Sequence, residues 1–157
     1  MGSLSRRCLS WWGVVISSIK EAIGVWFFAQ NTQRYLYLLR NDVKNPECWG
    51  LPGGKVKSNE SLLSAIEREC TEEMGGMPSY TKLIPIEKFT SPNNTFHYHT
   101  FFCLLENEFT PTLNHEHSGY AWTNKGIIPK PLHPGLWATL KIDEIYQRIK
   151  TVEELYS

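Results

Sequence analysis

The sequence lacks three features that would each narrow its function: a surplus of charge, a metal-binding cysteine pattern and a long apolar run. Its sixteen basic and sixteen acidic residues cancel, so no basic excess indicates a long nucleic acid as partner. The four cysteines are scattered without a C-x2-C pair, which disfavours a zinc framework and is typical of reduced thiols in a cytoplasmic protein. The apolar stretch near the N-terminus is too short to cross a bilayer, so we predict no membrane partner.

Length and composition indicate one domain over residues 1–157. A chain of this size that is 41% hydrophobic can bury a proper core, and it contains no internal repeat or low-complexity tract. Residues 1–20 form an extension whose apolar spacing fits a helix, while its β-branched residues favour a strand. We expect this extension to be mainly extended.

One segment in the middle of the chain follows the pattern G-x5-E-x7-R-E-C-x-E-E-x-G, from Gly54 to Gly75. Residues 61–74 have the apolar spacing of an amphipathic helix of about four turns. Ser58 or Asn59 can cap the start of this helix, and Gly75 can supply the left-handed residue that ends it. Local signals and side-chain periodicity therefore predict the same helix.

Three carboxylates share one face of this predicted helix. Glu69, Glu72 and Glu73 stand at positions i, i+3 and i+4, where each pair of like charges costs roughly a few tenths of a kcal/mol. A hard divalent cation reverses this repulsion, and Mg2+ binds one or two protein carboxylates while keeping places for substrate phosphates. A solvated acidic surface is the alternative if the three residues are considered alone.

The complete pattern resembles the Nudix box, and the chain is similar to the Nudix hydrolase family over roughly residues 22–150. At average residue usage, chance produces such a match at about one in 10⁸ to 10⁹ starting positions. The resemblance implies an enzyme that cleaves a nucleoside diphosphate linked to another group, with Mg2+ or Mn2+ as cofactor. The alternative is a non-catalytic nucleotide sensor of the same fold, although such domains tend to lose box glutamates and this chain keeps all four.

The resemblance also implies where a metal would bind. Its ligands would be the three helix carboxylates and a backbone carbonyl in the preceding loop, from Glu69, Glu72, Glu73, Gly53 and Gly54. Bound cations neutralise a polyphosphate and lower the pKa of a water molecule, from which a carboxylate then removes a proton.

The other implied roles are support and proton transfer. Arg68 would brace a glutamate by a charge-assisted hydrogen bond, and Glu60 and Gly75 would support the loop and the helix geometry. Glu69 is the first candidate for the general base. Glu116 is the second, because a glutamate a few residues before a tryptophan resembles the late acidic residue of the family.

Contacts to the substrate are harder to assign from the sequence. A nucleotide base needs an aromatic or guanidinium platform, for which we select Arg40, Trp49, Phe96 and Tyr98. Pro92, sixteen residues beyond Gly76, resembles a proline of ADP-ribose-cleaving members. We predict a small nucleotide as substrate, either an ADP-ribose-like diphosphate or a nucleoside triphosphate, and a homodimer stays open.

The predicted elements alternate strands around one central helix and end in a second helix. We predict strands at 24–29, 35–40, 83–89, 96–105 and 120–123, and a closing helix at 136–149. Residues 49–54 are expected to be a loop that leads into the box. This order indicates an α/β (α+β) protein, and it matches the α/β/α sandwich with a mixed central sheet of the Nudix fold.

Four histidines fall in two short motifs that resemble a zinc site on paper. His97 and His99 share a face of a predicted strand, and His115 and His117 flank a glutamate. We expect a solvent face or a substrate contact at these positions rather than zinc.

Overall fold

The computed structural model describes residues 19–157 and, as backbone, the short pairs Cys8–Leu9 and Val15–Ile16. Its strands are β1 (Cys8–Leu9), β2 (Val15–Ile16), β3 (Lys20–Ala29), β4 (Arg34–Arg40), β5 (Trp49–Gly50), β6 (Gly53–Lys55), β7 (Lys82–Thr90), β8 (Phe96–Leu105) and β9 (His117–Asn124). Its helices are α1 (Leu62–Met74), α2 (Pro134–Leu140) and α3 (Asp143–Leu155). Within the described residues, no helix is long and apolar enough to cross a bilayer.

The strands form one small sheet and one large mixed sheet. β1 and β2 pair antiparallel with each other, which agrees with the extended conformation expected there; the rest of residues 1–18 lies outside the described residues. The large sheet has seven strands in the order β5-β4-β3-β8-β7, with β6 also paired to β3 and β9 to β4. β3 and β8 are parallel over ten residue pairs, whereas the other pairings in this sheet are antiparallel.

Helices cover both faces of the large sheet. Alternate residues of β3 face opposite sides, as the period of two requires. On one side Ile23 packs with Ile66 of α1, and on the other side Trp26 and Phe28 pack in a core that includes Ile149 of α3. Burying a large apolar side chain contributes roughly 1.5–3 kcal/mol, so each layer is held by several such contacts. The predicted α/β/α sandwich with a mixed sheet is confirmed.

Helix α1 has the predicted end and a different start. Gly75 ends it in the left-handed conformation, with φ of 83°, and its N–H donates to the Thr71 carbonyl. The N-cap is Ser61, whose hydroxyl accepts from the Ser64 N–H at 3.1 Å, so the predicted cap at Ser58 or Asn59 is wrong. Asn59 instead takes a left-handed backbone conformation, which turns the chain before the helix begins.

The closing helix predicted at 136–149 is two helices, α2 and α3. Ile142 has an extended backbone and interrupts the helical hydrogen bonding. Asp143 and Glu144 then occupy the first turn of α3, where negative charge is favourable. The step of five residues from Leu140 to Ile145 departs from the three- or four-residue spacing of a single helix, and it coincides with the interruption.

Strand bounds differ from the predictions where pairing extends a strand. β3 begins at Lys20 rather than residue 24, because its first residues pair with β8. β9 runs from His117 to Asn124, because it pairs with the whole of β4. The expected loop at 49–54 contains β5 and part of β6, so the chain before the box is itself part of the sheet.

Candidate active site

The loop before α1 approaches β3 so closely that one position requires glycine. Gly53 has φ of 153°, and a Cβ there would lie 2.0 Å from the carbonyl oxygen of Ile23. Strand β6, which contains Gly53, pairs with β3 through this contact. The Gly53 N–H is directed towards α1 and donates to Oε2 of Glu73 at 2.9 Å. The glycine therefore joins the sheet, the loop and the acidic helix.

The next glycine makes room for a carboxylate. A Cβ at Gly54 would lie 2.5 Å from the carboxyl carbon of Glu69. Real contacts of a Cβ are longer than 3.0 Å, so any larger residue at position 54 displaces the Glu69 side chain or the loop. The two glycines thus set the positions of two of the three helix carboxylates.

Arg68 connects three groups around the loop. Its Nε and Nη2 donate to the two carboxylate oxygens of Glu60 at 2.7 and 2.9 Å, a bidentate pair. Its Nη1 donates to Oε1 of Glu69 at 2.9 Å, and its Nη2 also donates to the Lys55 carbonyl at 2.8 Å. Hydrogen bonding to Arg68 lowers the pKa of Glu60 to about 2. Glu72 lies further from Arg68, at 3.6 Å, and its side chain is 51% exposed.

Glu73 is a buried carboxyl group in a negative environment. It is 3% exposed, and burial is the main cause that raises its pKa to about 9. The charges of Glu69 and Glu116 raise this pKa further, while the Gly53 N–H and Arg40 oppose the shift. Burial also raises the pKa of Glu69, with Glu72 and Glu116 adding to the effect. A positive charge at this point would stabilise the ionised form of each carboxylate.

Two further residues complete the carboxylate cluster: Glu116, which directly precedes β9, and His117, the first residue of β9. One ligand atom each of Glu73, Glu116 and His117 lies within 4.8 Å of the others. His117 is buried, and its Nδ1 has no hydrogen-bond partner among the residues that the structure describes. Burial first, and the charge of Arg40 second, lower its pKa to about 4, so its imidazole is neutral near pH 7.

This donor set fits a divalent cation. The carboxylates are hard oxygen donors of the kind that Mg2+ and Mn2+ prefer, and the neutral imidazole adds a nitrogen without a competing charge. The sequence places His117 in a short motif with His115 and Glu116, where a solvent face or a substrate contact is expected. His117 is buried instead, so the expected solvent face is wrong for this residue, and its place beside Glu73 was not predicted.

The predicted substrate contacts fall in different surroundings. Tyr98 packs over Gly24, where a Cβ would lie 2.1 Å from the tyrosine hydroxyl, and burial and Glu73 raise its pKa to about 12. The Arg40 guanidinium donates to Asp42 through Nε at 3.2 Å and Nη2 at 2.5 Å, and Asp42 is the main cause that raises its pKa. The charges of Glu73 and Tyr98 raise the pKa of Arg40 further.

The two remaining aromatic candidates are less directly linked to the cluster. Phe96 is half-buried on the same face of β8 as Tyr98, two residues nearer the start of the strand. Trp49 is half-buried and packs against the core below α3. Its backbone is fixed by hydrogen bonds to Pro131 and His133.

Comparison with known sequences identifies a shared family. A model of the NUDIX domain family matches residues 19–141, which contain the box, the large sheet and α2. The 8-oxo-dGTP diphosphatase of Buchnera aphidicola subsp. Acyrthosiphon pisum is 39% identical to the chain over 44 residues. This match covers 28% of the chain and 35% of the Buchnera protein.

Solved structures share the fold at low sequence identity. The MutT protein of Methanosarcina mazei Go1 has a TM-score of 0.63 and 21% identity, over 86% of this chain and 96% of its own. The NUDIX domain of Shewanella oneidensis NrtR, solved in complex with ADP ribose, has a TM-score of 0.65 and 17% identity. The match covers 85% of this chain and 90% of the NrtR chain. At these identities the likeness shows the fold alone.

Removing the buried charge should stabilise the metal-free protein. Glu73→Gln keeps an oxygen that can accept from Gly53 but cannot ionise. In the wild type, the protonated carboxyl is tolerated in the folded state below its ordinary pKa of 4.5. As the pH rises from 4.5 towards 9, the raised pKa makes folding progressively less favourable. We therefore expect the variant to be more stable at neutral pH by about 1–2 kcal/mol, or about 2–8 °C in melting temperature.

The measurement is thermal unfolding in EDTA at several pH values, where the difference should grow with pH. Glu67→Gln is the matched control, because Glu67 is an exposed glutamate on the same helix. A metal-free Glu73→Gln protein that is no more stable than wild type would contradict the electrostatic interpretation.

The Glu60–Arg68 pair should give the opposite dependence on pH. Because the pKa of Glu60 is lowered in the folded state, its contribution is present above pH 4.5 and is lost as the pH falls towards 2. Glu60→Gln should therefore destabilise the protein at neutral pH and progressively less under acid conditions. Urea unfolding of the variant, beside the exposed control Glu154→Gln, measures this; a loss of stability independent of pH would argue against the ion pair.

Proposed function

Because this chain belongs to the NUDIX hydrolase family, we propose that it is a Mg2+-dependent pyrophosphohydrolase that cleaves a phosphoanhydride bond in a small nucleoside diphosphate derivative. The observation that carries the proposal is the convergence of Glu69, Glu73 and Glu116, where burial first, and neighbouring negative charge second, raise the pKa values of Glu69 and Glu73. A divalent cation with a polyphosphate supplies the positive charge that this cluster needs. Mn2+ is the second candidate for the ion.

The proposed metal ligands are the box carboxylates and the loop backbone. They are Glu69, Glu72 and Glu73 with a carbonyl of Gly53 or Gly54. When bound, the ion neutralises the polyphosphate and lowers the pKa of a water molecule. The chain orients these ligands through the Gly53 N–H on Glu73 and through Arg68 on Glu69. Glu60 and Gly75 act on this geometry indirectly, by holding Arg68 and by ending α1.

Glu69 is the proposed general base and Glu116 the second candidate. One oxygen of Glu69 accepts from Arg68 and so fixes the direction of the carboxylate, and burial raises its pKa. Both properties suit a proton acceptor. Glu116 is exposed beside the cluster, and its position suits a metal ligand or a base. The pH–rate profiles of Glu69→Gln and Glu116→Gln separate the two, since only loss of the base removes the acidic limb.

The proposed substrate is a small nucleotide, either an ADP-ribose-like diphosphate or a nucleoside triphosphate. A related fold binds ADP ribose in the NrtR complex, and the Buchnera relative is an 8-oxo-dGTP diphosphatase, so one precedent exists for each class. Arg40, Trp49, Phe96 and Tyr98 remain the proposed substrate contacts. The proposal includes a cytoplasmic location and is compatible with a homodimer.

Turnover should depend on the metal and on the box carboxylates. We expect release of AMP or pyrophosphate from a nucleotide panel in Mg2+, and little release in EDTA. Glu72→Gln and Glu73→Gln should each lower kcat by roughly 10²-fold or more, because each removes a proposed ligand. Circular dichroism should show that both variants fold, with Glu67→Gln active as the control. Full activity in EDTA, or normal rates in both variants, would refute the assignment; tight nucleotide binding without turnover would favour a sensor.

The space at Gly54 should be required for activity more than for folding. In Gly54→Ala the new Cβ meets the end of the Glu69 side chain, which can rotate away at modest cost in stability. Rotation removes Glu69 from its Arg68 contact, so we expect kcat to fall about 10-fold or more. Gly76→Ala is the matched control, because a Cβ at Gly76 meets nothing within 4 Å. Equal activities of the two variants would show that Glu69 is not held as proposed.

A further inference from the structure

Three side chains with metal-binding atoms meet outside the box, at the starts of β3 and β8. Glu21 belongs to β3, and His97 and His99 belong to β8. One ligand atom of each lies within 4.8 Å of the others. None of the three belongs to the box, so the proposed function does not account for this cluster. The two histidines alone favour a solvent face or a substrate contact; the third donor, Glu21, changes that interpretation.

The parallel register of the sheet brings the cluster together. Glu21 is the cross-strand partner of His97, and Ile23 is the partner of His99, so all three donor side chains emerge on one face. The rings of His97 and His99 meet edge to face with their centroids 6.3 Å apart. The Glu21 carboxylate extends along the strand to His99, where its Oε2 lies 2.8 Å from Nε2.

The cluster lies at the border of the core and is partly shielded from water. The side chain of His99 is 13% exposed and that of Glu21 is 24% exposed. Ile23, which follows Glu21 on the same face, is fully buried in the core beneath α1. Lys88 of β7 is the cross-strand neighbour of His99, but it is exposed, so its ammonium group can remain in water.

We propose that Glu21, His97 and His99 bind a late first-row transition cation of the Zn2+, Co2+ and Ni2+ class. Two imidazoles and one carboxylate are donors that these ions prefer, whereas Mg2+ prefers oxygen ligands. Metal bonds of about 2.0–2.2 Å draw the donors closer than they now lie, which small rotations of the partly exposed side chains allow. One coordination position remains for water.

A cation in this cluster would connect β3 to β8 beside the box loop. The Glu21 carbonyl accepts a hydrogen bond from the Val56 N–H at 2.8 Å, and Val56 directly follows β6. Glu21 therefore belongs to the same strand, β3, that pairs with Gly53 and Gly54 of the box loop. The effect of the cation is to stabilise this end of the sheet, separately from the chemistry in the box.

The test uses the full-length protein in a large excess of Mg2+, which competes by mass action with the added probe for a site made of carboxylates. Co2+ is the probe, because four-coordinate Co2+ absorbs visible light far more strongly than the six-coordinate ion in water. We expect one equivalent of Co2+ to produce this spectrum and Zn2+ to abolish it by displacement. Binding should also raise the melting temperature, since the ion binds only the folded protein.

Matched variants assign the spectrum to its ligands. His97→Asn, His99→Asn and Glu21→Gln should each weaken Co2+ binding about 10-fold or more, because each removes one donor. His115→Asn removes an exposed histidine outside the cluster and should bind as wild type does. Glu73→Gln alters the box alone and should also keep the spectrum.

Three outcomes would overturn the proposal. The spectrum could survive in both His97→Asn and His99→Asn, or it could disappear in Glu73→Gln, which would assign the ion to the box. The protein could also give no four-coordinate spectrum at all, in which case Glu21 and His99 form an ion pair only. Each outcome is read from Co2+ binding, so it is independent of whether the protein hydrolyses nucleotides.

Discussion

The close approach of the glycine loop to helix α1 is the constraint on which the rest of the site depends. The Gly53 N–H donates to Glu73, and the absence of a side chain at Gly54 leaves room for the Glu69 carboxylate. Arg68 adds a hydrogen bond to the carbonyl at the end of the loop strand. All three contacts require the loop backbone to lie against the helix, and a Cβ at either glycine would separate them. The glycines therefore position the acidic side chains as well as shaping the loop.

This constraint has an electrostatic consequence. It holds Glu69 and Glu73 near Glu116 in a partly desolvated place, where burial raises the pKa values of both helix residues. The metal-free protein therefore stabilises the neutral form of a group that the proposed chemistry needs as a carboxylate. Perturbed pKa values of this kind cluster at functional sites, and proteins commonly give up some stability to keep them. Nδ1 of His117, which has no hydrogen-bond partner within residues 19–157, belongs to the same unfavourable arrangement.

Features that depend on neighbouring residues can be predicted from this sequence, and features that depend on distant pairing cannot. The spacing of the box glutamates predicts one acidic face, Gly75 predicts the helix end, and strand 96–105 has the predicted bounds. By contrast, Glu21 meets His97 only because β3 and β8 run parallel, although the two residues are 76 positions apart in the chain. His117 joins the cluster because β9 extends along β4.

Under the proposed function, the ion pair between Arg40 and Asp42 affects which substrate can bind. Its guanidinium already donates to Asp42, so a phosphate at this position must compete for the same N–H groups. The competition is feasible, because both side chains are about one-third exposed and such ion pairs contribute only about 0–1 kcal/mol. A substrate with several anionic groups and a bound cation competes better than a single phosphate, since the cation also offsets the charges of Glu73 and Glu69. Under the proposed function, the Arg40–Asp42 pair and the carboxylate cluster therefore favour the same ligand, a polyphosphate chain that binds together with its metal.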